Sequence, residues 1–318
     1  MSYQLRDDES LGEALQRICR KQVQLALAFA RGEKETDDTP VHETRKHLKK
    51  ARAALQLLKK EIGRGLFRKE DHCLRDVGRL ISEIRDAEVR LQTVQQLQGL
   101  AGNQKHRKYR KLEEMLLIEL ENFVVAFAEW HVQAIPMLES MCKEIDSWPV
   151  EHFDRKQLLR AVQRSYKCGR QALADAKARG TTECFHEFRS AAKQLWYQLR
   201  IIRPINPVVL GNLGAEVRSL GSLLGRAHDL SFLGDRLRQE QNQSQFKRES
   251  HELLAVIEAS VSDLQRGAAD LAERFFAERP RDFGKRIAAW LDDWPDGASP
   301  SMAEELVNDS GPPVPNVA

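Results

Sequence analysis

The chain has few of the features that mark the commoner protein classes. No run of 18 apolar residues occurs, so no membrane-spanning helix is expected. The first residues, MSYQLRDDES, carry charge from position 6 and contain no apolar stretch of signal-peptide type. The five cysteines (19, 73, 142, 168 and 184) are scattered, odd in number and never spaced C-x-x-C. That excludes a disulfide framework or a zinc knuckle and points to a reducing compartment such as the cytoplasm. Aromatic residues make up only 7% of the chain. No segment alternates apolar and polar residues with period 2, which leaves no candidate strand. A glycine-rich phosphate loop and a His-Glu-x-x-His motif are also absent, and no carboxylate cluster suits Mg²⁺. No metal and no cofactor is therefore expected, and no enzyme activity.

What is present is helix-forming composition. Of 318 residues, 42% are apolar and 31% charged, with Leu, Ala, Gln, Glu, Lys and Arg prominent. The expected fold is all-α. Candidate helices cover 10–31, 41–62, 66–98 (with a break near 86), 105–145, 155–179, 182–203, 207–240 (with a break near 229), 244–278 and 281–293. The punctuation is local: Thr39-Pro40 starts a helix, Gly63-Arg64-Gly65 ends it, and Gly180 followed by Thr181 is a C-cap and then an N-cap. Pro149 separates two halves. The net charge of +3 hides an uneven distribution. From Ile287 onward there are six acids and no Lys or Arg, which leaves the body at +9. A basic body implies an anionic partner, for which the acidic tail competes weakly.

One pattern occurs twice. His42, Arg45 and Lys49 in VHETRKHLKKAR match His186, Arg189 and Lys193 in FHEFRSAAKQLW, 144 residues on. Both His residues follow an apolar residue (Val41, Phe185) and precede a Glu (Glu43, Glu187). About 40 residues after each, a glycine step follows, Gly78–Ile81 and Gly221–Leu224, and then Arg85-Asp86 and His228-Asp229. At 100° per residue, with His42 at zero, Arg45, Lys49 and Arg52 fall at about −60°, −20° and −80°. In the second copy Arg189, Lys193 and Arg200 fall at about −60°, −20° and −40° from His186. Residues 44–60 hold eight Lys, Arg or His and no acid, whereas a solvated helix mixes signs to gain i,i+4 pairs. The preceding helices add Arg17, Arg20 and Lys21 in one copy, and Arg164 and Lys167 in the other. The third helices add Arg75 and Arg79, then Arg218 and Arg226. Asp86 and Asp229 would cap or hold an arginine behind this surface. The duplication divides the chain into a tail (1–9), a four-helix bundle (10–148), a second bundle (149–280), a final helix (281–294) and an acidic, proline-containing tail (295–318), read as disordered.

These segments, with Leu80–Val89 and Leu223–Leu233, resemble the CHAD domain family (conserved histidine α-helical domain) over about residues 10–280. The resemblance implies paired four-helix bundles whose central basic groove binds inorganic polyphosphate, and a place on polyphosphate granules with possible granule proteins as partners. The carried-over positions are His42, Arg45, Lys49, Arg52, His186, Arg189 and Lys193. Trp196 stands where the first copy has Arg52, Gln194 where it has Lys50, and His228 where it has Arg85, so the second copy is less cationic. Three alternatives stay open. Nucleic-acid binding lacks an aromatic stacking platform on the stripe, and no specific nucleic acid is expected. A helical scaffold needs no ligand. A phosphohydrolase or a histidine phospho-acceptor lacks the accompanying motifs. Binding through the two histidines implies that affinity rises as pH falls through about 6.5.

Overall fold

The computed structural model describes residues 3–100, 109–240 and 247–295. The acidic tail beyond Pro295 lies outside them. Among the described residues the structure is helical, without strands. In the first half are α1 (Leu11–Ala30), α2 (Pro40–Leu58), α3 (Arg64–Leu80), α4 (Ser82–Leu100), α5 (Arg110–Ala126) and α6 (Trp130–Ile145). In the second are α7 (Arg155–Arg179), α8 (Thr182–Ile202), α9 (Pro207–Glu240), α10 (Lys247–Phe275) and α11 (Pro280–Asp292).

The caps explain where the stripe helices begin. Thr39 Oγ1 accepts the His42 amide at 3.1 Å and Pro40 supplies a fixed φ at the first helical position. Thr181 Oγ1 accepts the Cys184 amide at 3.3 Å. Gly180 takes the left-handed conformation (φ 65°) that ends α7 and lets α8 fold back along it. Two breaks differ from the sequence reading. The 66–98 segment breaks at Ile81 (φ −118°, ψ 15°) rather than near 86, because fully buried Ile81 is held in a separate small cluster with Val41 and Ile84. The 207–240 segment runs unbroken through 229 as α9. The 105–145 segment, read as one helix, turns at residues 127–129 between α5 and α6.

α2 and α8 lie side by side at the centre. Ala51, Ala54 and Leu55 from α2 share one continuous apolar core with Leu195 and Leu199 from α8, all essentially without exposure. Each such leucine contributes roughly 1.5–3 kcal/mol by leaving water. Gln198 Nε2 donates across the interface to the Ala53 carbonyl at 3.3 Å. A second apolar cluster joins α4 and α5 to α9 and α10 through Leu91, Val94, Leu112, Leu233 and Leu253. Glu119 of α5 reinforces it by accepting Arg236 at 2.8 Å and Arg90. These two apolar clusters fix four helices, α2, α8, α4 and α9, around a space that no side chain fills.

Candidate polyanion-binding cavity

That space is a cavity of about 500 Å³. The duplicated stripe forms much of its wall: His42, Arg45 and Lys49 from α2, and Arg189 and Lys193 from α8. Arg218 and Arg226 join from α9. The spacing on α2 and α8 places these groups on one face of each helix, and the apolar positions of the same helices hold that face towards α4 and α9.

The register of α8 against α9 follows from two glycines. A Cβ on Gly221 would lie 4.0 Å from Lys193 Cγ, and one on Gly225 would lie 3.9 Å from Arg189 Nε. The helices therefore run antiparallel, and His186 meets His228 with ring centroids 5.1 Å apart. His186 borders a separate small pocket with His228 instead of the main cavity.

The cations are poorly neutralised. Arg45 donates from Nη1 to the Gly78 carbonyl at 3.2 Å. Arg189 reaches Asp229 only at 3.9 Å, and its buried Nε has no hydrogen-bond partner among the described residues. Burial pulls both guanidinium groups below their ordinary value, though an arginine keeps its charge. Lys49 is exposed to the open cavity, and protein groups crowd around it. Burial first, then Lys193, Arg45, Arg189 and Arg85, push its ammonium down to about 7. Burial and Arg189 push Lys193 down to about 8, against the pull of Asp229. Burial raises Asp86 and Asp229 from their usual values, and the facing arginines oppose that rise. Burial and the neighbouring cations lower both His42 and His186, and carry His228 to about 4. The free cavity is thus a place where like charges crowd and lysines approach neutrality. It is chemically suited to an anion that restores their protons.

Other stripe residues lie apart from this cavity. Arg52, Arg75 and Arg79 line a neighbouring groove of about 470 Å³ that shares Arg45 and Lys49 with it, so the basic surface continues over α2 towards α3. There Arg52 Nε (2.8 Å) and Arg75 Nε (2.9 Å) both bind the buried carboxylate of Asp71. Arg17 is paired with Glu9 and Arg20 with Asp146. Lys21, Arg164 and Lys167 are not among the residues lining either space. Arg200 covers the rings of Trp196 (5.1 Å) and Tyr3 (5.5 Å). One group with metal-ligand spacing occurs among the described residues, Asp38, His42 and Glu43 within 4.8 Å, but Glu43 already accepts Lys46 Nζ at 2.6 Å.

The sequence reading left out several lining groups. Arg85 faces the cavity from α4 and His228 from α9, at matching positions of the two copies. The signal was present, since each precedes the Asp of the repeated pair. Trp196, Tyr197 and Phe232 also line it, so the aromatic residues do reach the stripe.

The CHAD domain model matches residues 14–238. This chain belongs to the CHAD domain family. The match spans α1 through most of α9 and takes in both copies of the stripe. Among solved structures, the CHAD domain from the plant Ricinus communis aligns with a TM-score of 0.61 at 18% identity, covering 91% of this chain and 94% of that one. PptA from Streptomyces chartreusis aligns with a TM-score of 0.60 at 16% identity, covering 85% and 100%. At such identities the likeness is one of fold. No curated protein matches the sequence.

Proposed function

We propose that this CHAD protein is a receptor for inorganic polyphosphate, held in the cavity between α2, α8, α4 and α9. The observation that carries the reading is the crowding of Arg45, Lys49, Arg85, Arg189 and Lys193 around one space, opposed only by Asp86 and Asp229 among its lining carboxylates. Burial is the main cause that lowers Lys49 and Lys193, facing cations lower them further, and a polyanion offsets that repulsion. Arg189 meets a carboxylate, Asp229, only at 3.9 Å, so much of its charge is left for an anion. Arginines offer forked donors to successive phosphates, and lysines offer mobile point charges between them. The neighbouring groove with Arg75 and Arg79 gives a long chain somewhere to continue beyond the cavity.

The role is binding rather than catalysis, with the cytoplasm and the surface of polyphosphate granules as its setting. No described helix is long and apolar enough to cross a membrane. Calorimetric titration with long-chain polyphosphate at 50 and 200 mM salt tests the reading. Affinity is expected to fall by roughly tenfold or more between them, as counterion release requires. Absence of heat and of any thermal-shift response at 50 mM salt would remove it.

A further inference from the structure

Inorganic polyphosphate has no aromatic part, yet one end of this cavity carries two aromatic residues. Trp196 and Tyr197 of α8 line it with Val217 of α9, and Arg218 stands beside them. The α8/α9 register set by Gly221 against Lys193 and Gly225 against Arg189 brings Val217 opposite Tyr197, one turn beyond Lys193. At 1.5 Å per residue, Lys193 lies about 4.5 Å along the axis from Trp196, and Arg189 about 10.5 Å. On α8, an aromatic end is followed by a cation one turn away and a second cation two turns away. Gly221 and Ser222 keep the α9 wall low between them. Arg200, stacked over Trp196 at 5.1 Å, holds the indole in place.

We propose that the cavity also takes nucleoside polyphosphates, with the base against Trp196 and Tyr197 and the phosphates on Lys193, Arg189, Lys49 and Arg45. The assignment rests on the reading of the cavity as a phosphate site and adds a ligand class to it. A volume of about 500 Å³ suits one nucleotide. The corresponding position of the first copy holds Arg52, tied to Asp71, so the aromatic end belongs to the second half alone.

The test compares ATP with inorganic tripolyphosphate, in metal-free buffer at one ionic strength, by calorimetry. Both carry three phosphates, and only ATP carries a base. ATP is expected to bind about fivefold or more tighter, the low end for one base on an aromatic ring. Trp196→Ala removes that preference and leaves tripolyphosphate within twofold. Trp196→Arg, which places a cation there, tightens tripolyphosphate and abolishes the preference, and thermal unfolding confirms that each variant folds. Tripolyphosphate binding as tightly as ATP, or both ligands weakening equally in Trp196→Ala, overturns the proposal. Long-chain polyphosphate binding without an ATP preference sinks this inference alone. An ATP preference without long-chain binding sinks the polyphosphate reading alone. No binding of any of the three sinks both.

Discussion

The two copies of the stripe share their residues but not their surroundings. On α2, the arginine one turn beyond Lys49 is locked: Arg52 and Arg75 clamp a buried Asp71, and Arg45 holds the Gly78 carbonyl. On α8, Arg189 stands 3.9 Å from Asp229, its buried Nε has no hydrogen-bond partner among the described residues, and the position equivalent to Arg52 is Trp196. In the first copy Arg52 and Arg75 are answered by Asp71 inside the protein, whereas Arg189 of the second meets a carboxylate only at 3.9 Å. Counting cations in the sequence ranks the copies the other way round, because a count does not register which charges are already answered.

The largest effect should therefore come from the second copy. Arg189→Ala is expected to weaken polyphosphate binding by about 10- to 100-fold, the range for a charge-assisted contact. Arg52→Ala, measured in the same titration, should cost threefold or less. Equal losses would erase the distinction between the copies.

Next in size is pH. Lys49 faces Arg45 on its own helix, Arg189 and Lys193 on α8, Arg85 and Asp86 on α4, and His228 and Asp229 on α9. In the free protein its ammonium sits at about 7 and that of Lys193 at about 8. A bound polyanion raises both, so protons are taken up on binding. Affinity is greatest below pH 7 and falls as pH rises towards 9, by roughly tenfold or more. This moves the expected transition upward from the histidine range near 6.5, because desolvation and adjacent cations lower His42 and His186 while the lysines titrate above them. Lys49→Arg with Lys193→Arg should flatten the profile between pH 7 and 9. A wild-type profile flat over that range contradicts the account.

The smallest effect is on stability. Lys49→Met removes a cation crowded by four others and should raise the unfolding midpoint by roughly 1–3 °C at low salt while weakening polyphosphate binding. A lowered midpoint would show that Lys49 is not under repulsion.

Much of this was legible in the sequence. Composition and capping residues gave the helices, and the repeat gave Arg45, Lys49, Arg189 and Lys193 as one cationic face. Helical angles assign a residue to a face of its own helix but do not say what packs opposite. That is why Arg17 and Arg20 looked available, although Glu9 and Asp146 take them up. It is also why the stripe reads as lacking an aromatic platform, although the antiparallel packing brings Trp196, Tyr197 and Phe232 of α8 and α9 into its cavity. The break at Ile81 could not be found from propensity, because it is set by the cluster with Val41, 40 residues away in the chain.

The most direct test of the central claim compares two double variants in one polyphosphate titration. Arg45→Ala/Arg189→Ala removes cations from the cavity, and Arg20→Ala/Lys167→Ala removes the same charge from outside it. The account predicts that the first loses binding by about 100-fold or more while the second stays within threefold of wild type. Equal losses in the two would mean that net charge alone attracts the polyanion and that the cavity is not its site.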